Sequence, residues 1–333
     1  MVGMGHGTRT RRVRTAAVLL TATGLFAAGC TGAGTPRVPA DDGRGQLHTS
    51  EPSASGQSRA ADRPALLAVK IDNVRAARPQ AGIDSADIVY AEQVEGGLSR
   101  LMAVFATRLP KTVGPVRSAR ESDLELLRQF DDPTLAFSGA QRKLMPLINR
   151  APLDARTPEQ ASDAYFRGSD KASPHNLYVR PKRLMPTTPG AAALTTGFRY
   201  GAAPAGGTRD TSETVRYPAA RFTFSWSESR RRWLVSMDGR PDTTSDGKRL
   251  APATVVVQYV KVRPSAFHDF LGNNTPYTQT VGSGRAKVLR DGRAYDVNWK
   301  RPKATDGTEF TTKDGAPVNF AKGQVWVVFA KAS

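Results

Sequence analysis

The stretch ADIVYAEQVEGGLSRLMAVFAT, residues 86–107, decides the fold. Ala86 to Val94 alternates, with Ile88, Tyr90, Glu92 and Val94 on one side, and Leu98 to Thr107 reads as a second strand. Gly96-Gly97 between them supplies the residues a tight turn demands, so the stretch predicts a β-hairpin. Upstream, Leu66 to Ile71 is a short apolar run with the length of a buried strand. Downstream, Ser118-Ala119-Arg120-Glu121 has the spacing of a capping box, in which the serine hydroxyl caps the third helical amide and Glu121 reaches back. Leu124, Leu127 and Arg128 follow on a helix predicted to end near Asp131-Asp132-Pro133, and Leu135 to Ser138 reads as another strand. Thr157-Pro158-Glu159-Gln160 repeats the capping pattern with Pro158 at the first helical position, which predicts a helix to about Phe166.

Residues 64–200 therefore read as a mixed α/β domain. Residues 201–216 hold Gly, Thr, Ala and charges and read as a linker. The remainder, 217–333, is mostly strand-like. Arg221 to Ser227 and Arg232 to Met237 can pair as a hairpin, and Thr254 to Val262 is β-branched and long. Ala286 to Leu289 and Ala294 to Trp299 flank Asp291-Gly292, a strong hairpin turn, and Gln324 to Ala330 closes the chain. The fold class expected is α+β: a mixed α/β N-terminal domain followed by a mainly antiparallel β C-terminal domain.

The start of the chain reads as an address. Arg9, Arg11, Arg12 and Arg14 precede a short apolar run from Ala16 to Ala28, and Ala27-Ala28-Gly29 stands before Cys30, the single cysteine of the chain. That order predicts a lipoprotein signal over residues 1–30 with lipidation at Cys30. The alternative is an ordinary signal cut near Cys30, leaving an unmodified thiol. Arg11-Arg12 fits a twin-arginine signal, but Arg14 and Thr15 stand where that signal wants bulky apolar residues, so general secretion is expected. The apolar run is shorter than the about 20 residues a membrane-spanning helix needs. Residues 31–63 are rich in Gly, Ser, Pro, Ala and Asp, a composition that buries no core and reads as a disordered tether. A lipid on Cys30 would place the folded part outside the cytoplasm, on the cell membrane. A single cysteine allows no disulfide within the chain.

The chain carries a formal charge of +18, four units of it from the leader arginines. Such a balance suits an anionic partner: a cell-wall polymer, lipid headgroups or nucleic acid. Export argues against nucleic acid, and a scattered basic surface with no ligand is the alternative. The richest polar stretch is 70–123. Asp72 and Asn73 follow the first strand, Glu92 and Glu95 lie near the Gly96-Gly97 turn, and Arg100 stands beyond it. Arg117, Ser118 and Arg120 lead into the capped helix, where free amides and arginines together suit an anion. These residues form a candidate ligand site, and Glu92, Glu95 and His175 are candidate acid–base groups. Arg117 or Arg120 can equally pair with Asp72, Glu92 or Glu95 and stitch the domain together. One suitable histidine and no second cysteine argue against zinc, and neither a metal nor a cofactor is expected. Nucleotide-loop, nucleophile-elbow and zinc-protease motifs are absent.

Several segments together resemble the DUF3048 family of YerB-like bacterial lipoproteins. They are Val69-Lys70-Ile71-Asp72-Asn73, Arg78-Pro79-Gln80, Ala86 to Glu92, Glu95-Gly96-Gly97, Gly114 to Arg120 and His175-Asn176-Leu177-Tyr178, with Gly284 to Lys300 and Gly323 to Val327 near the end. The resemblance spans about residues 64–330. It implies an exported, lipid-anchored chain with an N-terminal and a separate C-terminal domain, and it carries over no catalytic residue. The family's pattern tends to Thr-Arg after Glu-Gly-Gly; Leu98-Ser99-Arg100 here keeps the arginine. Two functions follow. One is a lipid-anchored envelope protein that binds an anionic envelope component or a protein partner. The other is an envelope hydrolase or transferase using these carboxylates, with arginines holding an anionic substrate. No signature in the sequence decides between them.

Overall fold

A computed structural model describes residues 65–268 and 272–333. The leader, Cys30 and the expected tether lie outside the described residues. The apolar run becomes β1 (Leu67–Asp72), buried along its whole length. The stretch 86–107 forms the expected hairpin, β2 (Ile88–Gln93) and β3 (Ser99–Phe105), paired antiparallel from Ile88–Val104 to Gln93–Ser99. The turn requires glycine at Gly97: its φ is +71°, and a Cβ there would lie 2.5 Å from Pro218 Cβ. β1 pairs antiparallel with β3 and parallel with β4 (Thr134–Ala136), and β5 (Asp154–Arg156) adds a parallel edge. β6 (Tyr165–Arg167) and β7 (Leu177–Val179) make a short separate hairpin.

In the second half, β8 (Ser212–Tyr217), β9 (Ala220–Ser227) and β10 (Arg232–Met237) form an antiparallel sheet. β8 begins inside the stretch read as a linker. There follow β11 (Thr254–Val260), the hairpin β12 (Val262–His268) and β13 (Asn274–Thr278), then β14 (Gly282–Arg290), β15 (Arg293–Arg301), β16 (Glu309–Thr311) and β17 (Val325–Lys331). Asp291-Gly292 turns β14 into β15 as expected, both residues at positive φ. The main sheet runs β16-β15-β14-β11-β17-β2-β3-β1-β4-β5. β17 lies between β2 and β11, parallel to both, so one sheet draws strands from both regions.

Both faces of this sheet are covered, which is why its strands read as apolar runs rather than strict alternations. One face packs Val69, Ile71, Leu101 and Trp326 against Phe222, Phe224 and Trp233 of the second sheet. The other packs Ala68, Tyr90, Met102 and Val327 against Leu126 and Leu127 of a helix, α1 (Glu121–Leu127).

Among the described residues the architecture is mostly β. Its α-helices are short: α1, α2 (Met145–Arg150) and α3 (Pro181–Leu184). The mixed α/β expectation for 64–200 holds in that coarser form only. Two local readings are corrected. The capping pair at 157–160 does form, with Thr157 N donating to Gln160 Oε1 at 3.0 Å and Gln160 N to Thr157 Oγ1 at 3.4 Å, but it closes only a turn. The chain then enters β6, whose pairing with β7 overrides the local helix signal. α1 starts at Glu121 rather than beside Ser118: Arg120 N donates to Asp123 Oδ2 at 2.7 Å, so the box closes two residues later. No helix among the described residues is long and apolar enough to cross a membrane.

Candidate functional site

Strand register gathers the polar residues. Asp72 on β1 stands opposite Arg100 on β3, and Arg100 stands opposite Glu92 on β2. With Lys70, two residues before Asp72, they share the sheet face covered by α1. Four ionisable side chains inside a dry layer must find partners, because an unpaired buried charge is costly. Lys70, fully buried, donates to Glu92 and to Asp123 Oδ1, the latter at 2.6 Å. Burial alone would lower the Lys70 pKa, but Asp123 and Glu92 outweigh it and hold it above its ordinary value. Burial pushes Glu92 above the usual carboxylate range; Lys70 opposes this, and the nearby Asp123 charge adds to it. Glu92 therefore takes up a proton more readily than an ordinary glutamate.

The neighbouring group centres on Asp72, also fully buried. The segment Gly114–Arg117 runs beside the end of β1, with Asp72 N donating to Pro115 O and Arg117 N to Lys70 O. β7 lies against that segment through Val116 N and Leu177 O. These backbone bonds bring Arg117 and His175 over Asp72. Arg100 NH1 lies 3.1 Å from Asp72 Oδ1, Arg117 Nε lies 3.2 Å from Oδ2, and His175 Nδ1 lies 2.8 Å from Oδ2. Three potential cations share one carboxylate. Burial lowers the Arg100 pKa to about 10 against the pull of Asp72, and its Nε has no hydrogen-bond partner. The carboxylate accepts from Nδ1, so a neutral His175 keeps its proton there and leaves Nε2 as an acceptor.

Asn73 is held inside, donating to Ser99 Oγ and accepting from Gln80 Nε2, each at 2.8 Å. Arg120 grips Glu95 through Nε and NH2, each at 2.7 Å, and Thr275 Oγ1 donates to the same carboxylate at 2.6 Å. Burial would raise the Glu95 pKa, but Arg120 and Thr275 outweigh it and hold it below its ordinary value. Beside this pair opens a pocket of about 400 Å³, bordered by Ser118, Gln141, Arg142, His268 and Thr275. Ser118 caps no helix; its Oγ lies 3.5 Å from Ser138 Oγ.

The candidate residues therefore do come together, with a division of labour the sequence did not reveal. Asp72, Glu92, Asn73 and Arg100 are interior. Glu95 and Arg120 are locked to each other. Arg117 and His175 each keep roughly a quarter of the side chain exposed, at 26% and 22%. The anion site expected at a helix start beside Ser118 does not form there, because Asp123 already occupies the Arg120 amide. Sequence reasoning passed over Lys70 and Asp123. A lysine inside the apolar run Leu-Ala-Val-Lys-Ile was the available signal, since a buried amine demands a carboxylate. Among the described residues no group of three or more His, Cys, Asp or Glu is placed to hold a metal ion.

Comparison with known proteins gives a consistent match. The family model described as "Protein of unknown function (DUF3048) N-terminal domain" matches residues 49–194, and that for the C-terminal domain matches 213–327. A Bacillus subtilis (strain 168) protein named "Putative lipoprotein YerB" is 25% identical over 289 residues, covering 78% of this chain and 80% of its own. The crystal structure of the YerB protein from Bacillus subtilis superposes with a TM-score of 0.67 at 21% identity, covering 83% of this chain and 94% of the other. The last of these speaks for the fold.

Proposed function

The chain belongs to the DUF3048 family, whose role is unknown, and from that premise we propose that it is a lipid-anchored extracytoplasmic protein that binds an anionic envelope polymer. Two features support the location: the small residues Ala27-Ala28-Gly29 before Cys30, and the word lipoprotein in the name of the Bacillus subtilis relative. One observation carries the binding role. Asp72, Glu92 and Glu95 are each engaged by protein cations, while the cluster turns Arg117 outward. Arg117 approaches Asp72 through Nε at 3.2 Å, and its terminal nitrogens make no hydrogen bond among the described residues. A guanidinium held in place by a buried carboxylate is pre-oriented for phosphate or carboxylate.

A second reading rests on the Asp72–His175 contact. A buried carboxylate that fixes Nδ1 leaves Nε2 poised as a general base, the arrangement used in hydrolytic triads. Isolated wall sacculi separate the two. The full-length protein should sediment with them at low salt and less at high salt, as expected of exposed charges. Arg117→Gln should weaken that sedimentation about tenfold while the protein stays folded, with Arg100 and His175 still on Asp72, given that hydrogen bonds to charged groups are worth roughly 1.5–3 kcal/mol. Sedimentation indifferent to Arg117→Gln sinks the binding role. Release of soluble fragments, abolished by His175→Gln, would establish the hydrolase instead. The anchor is checked on cell fractions: Cys30→Ala should move the protein from the membrane to the soluble fraction, and unchanged partition rules the lipid out.

A further inference from the structure

A larger cavity than the pocket beside Glu95 lies elsewhere. A groove of about 950 Å³ runs over the outer part of the main sheet, between β14 and β15 and the ends of β11 and β17. Lys261, Arg285, Lys287, Lys313 and Lys331 border it, against the one acidic side chain Asp296. These cations come from separate parts of the chain. Arg285 and Lys287 alternate along β14 and so point the same way, about 7 Å apart. Lys331 ends β17 in register with Val260, the residue before Lys261. Register places Asn298 across from Arg285 and Asp296 across from Lys287.

Lys287 is held by Glu213 at 2.6 Å. Lys261, Arg285, Lys313 and Lys331 are exposed and have no ion pair among the described residues. Like charges brought together in excess of their counter-charges oppose folding, and a ligand that neutralises them relieves that repulsion. The groove floor is not an apolar pocket for a small drug-like molecule: Gln279, Ser283 and Asn298 offer polar groups beside the rings of Tyr259 and Trp299. A bilayer is flat and meets protruding cations, whereas these cations border a concave strip.

We propose that this groove binds a linear polyanion, a chain carrying phosphate groups at intervals of several ångströms, with successive anions meeting Arg285 and Lys287 and the flanking lysines. Its border shares no residue with the Asp72 cluster, so Arg117→Gln leaves the groove intact and the two readings fail separately.

The test uses the full-length protein, purified in detergent from the envelope of the cells that make it. Long-chain inorganic polyphosphate is titrated by fluorescence anisotropy, with inorganic monophosphate and vesicles of equal parts phosphatidylglycerol and phosphatidylcholine as comparison ligands. The expected result is salt-sensitive binding of polyphosphate over monophosphate and vesicles. The combined variant Lys261→Gln, Arg285→Gln, Lys313→Gln, Lys331→Gln should bind about tenfold more weakly with a shallower salt slope. A second variant guards against misfolding: Asp296→Asn removes the opposing charge and should tighten binding about twofold. Absence of polyphosphate binding overturns the proposal. So does equal affinity in the fourfold variant, or vesicle binding stronger than polyphosphate binding.

Discussion

At the scale of single residues, Lys70 shows how this sheet tolerates charge. Its ammonium is fully buried between Glu92 and Asp123, and Asp123 Oδ2 also receives the Arg120 amide that opens α1. The lysine is thus the counter-charge for two carboxylates from different elements. Lys70→Met keeps the volume and removes the cation. Breaking a buried pair on one side costs about 3–5 kcal/mol, because the partners stay buried without compensation. The loss should depend on pH. Without Lys70 the folded-state pKa of Glu92, already raised by burial, rises further above its unfolded value. The folded state then binds protons more readily than the unfolded one, so stability is regained as pH falls. Urea unfolding of Lys70→Met should show a deficit that is largest near neutral pH and shrinks towards about pH 5. A deficit independent of pH would mean that Lys70 acts by packing alone.

At the scale of elements, the sequence spoke clearly wherever the signal was local. Gly96-Gly97 and Asp291-Gly292 are turns because left-handed backbone is required there, and both hairpins appear where expected. Thr157-Pro158-Glu159-Gln160 carried an equally good local signal and failed, because capping initiates a helix but does not sustain it. Tyr165 to Arg167 gains more by pairing with β7. Ser118 failed as a cap because Asp123 offered the better acceptor from inside α1. α1 ends at Leu127, short of the expected Asp131-Asp132-Pro133, and its end too rests on a distant residue. Arg301, fully buried on β15, donates to Glu125 O at 2.9 Å and to Leu126 O at 3.3 Å. Carbonyls at a helix end need such partners, and Leu126 O also accepts from Gln129 Nε2 at 2.8 Å. No pattern within ten residues of Glu125 announces an arginine from residue 301. The candidate site follows the same rule. Asp72, Glu92, Arg100 and Arg117 were legible as a polar group near strand ends. Which cation meets which carboxylate depends on strand register, and the Asp72–His175 contact spans 103 positions.

At the scale of the whole molecule, the decisive element is β17. Its residues pair with β2 from Ile88–Val325 to Ala91–Val328 and with β11 from Thr254–Val325 to Val260–Lys331. The sheet is therefore closed only when the last strand has entered, and neither region can complete it alone. Trp326, fully buried on β17, packs edge-on against Phe222 and Phe224 of the second sheet, so the same strand also holds the layers together. Such a topology predicts one cooperative transition despite two family matches along the chain. Trp226, Trp233 and Trp299 report on the second region and Trp326 on the shared strand β17, while amide exchange in β1 to β3 reports on the first. Urea midpoints from fluorescence and from hydrogen exchange should coincide. Trp326→Ala should lower both together, the loss of a large buried aromatic costing about 3–5 kcal/mol of stability. If β1 to β3 keep their protection after the fluorescence change is complete, β17 is an addition to a self-sufficient first domain, and the shared sheet is not the unit of folding.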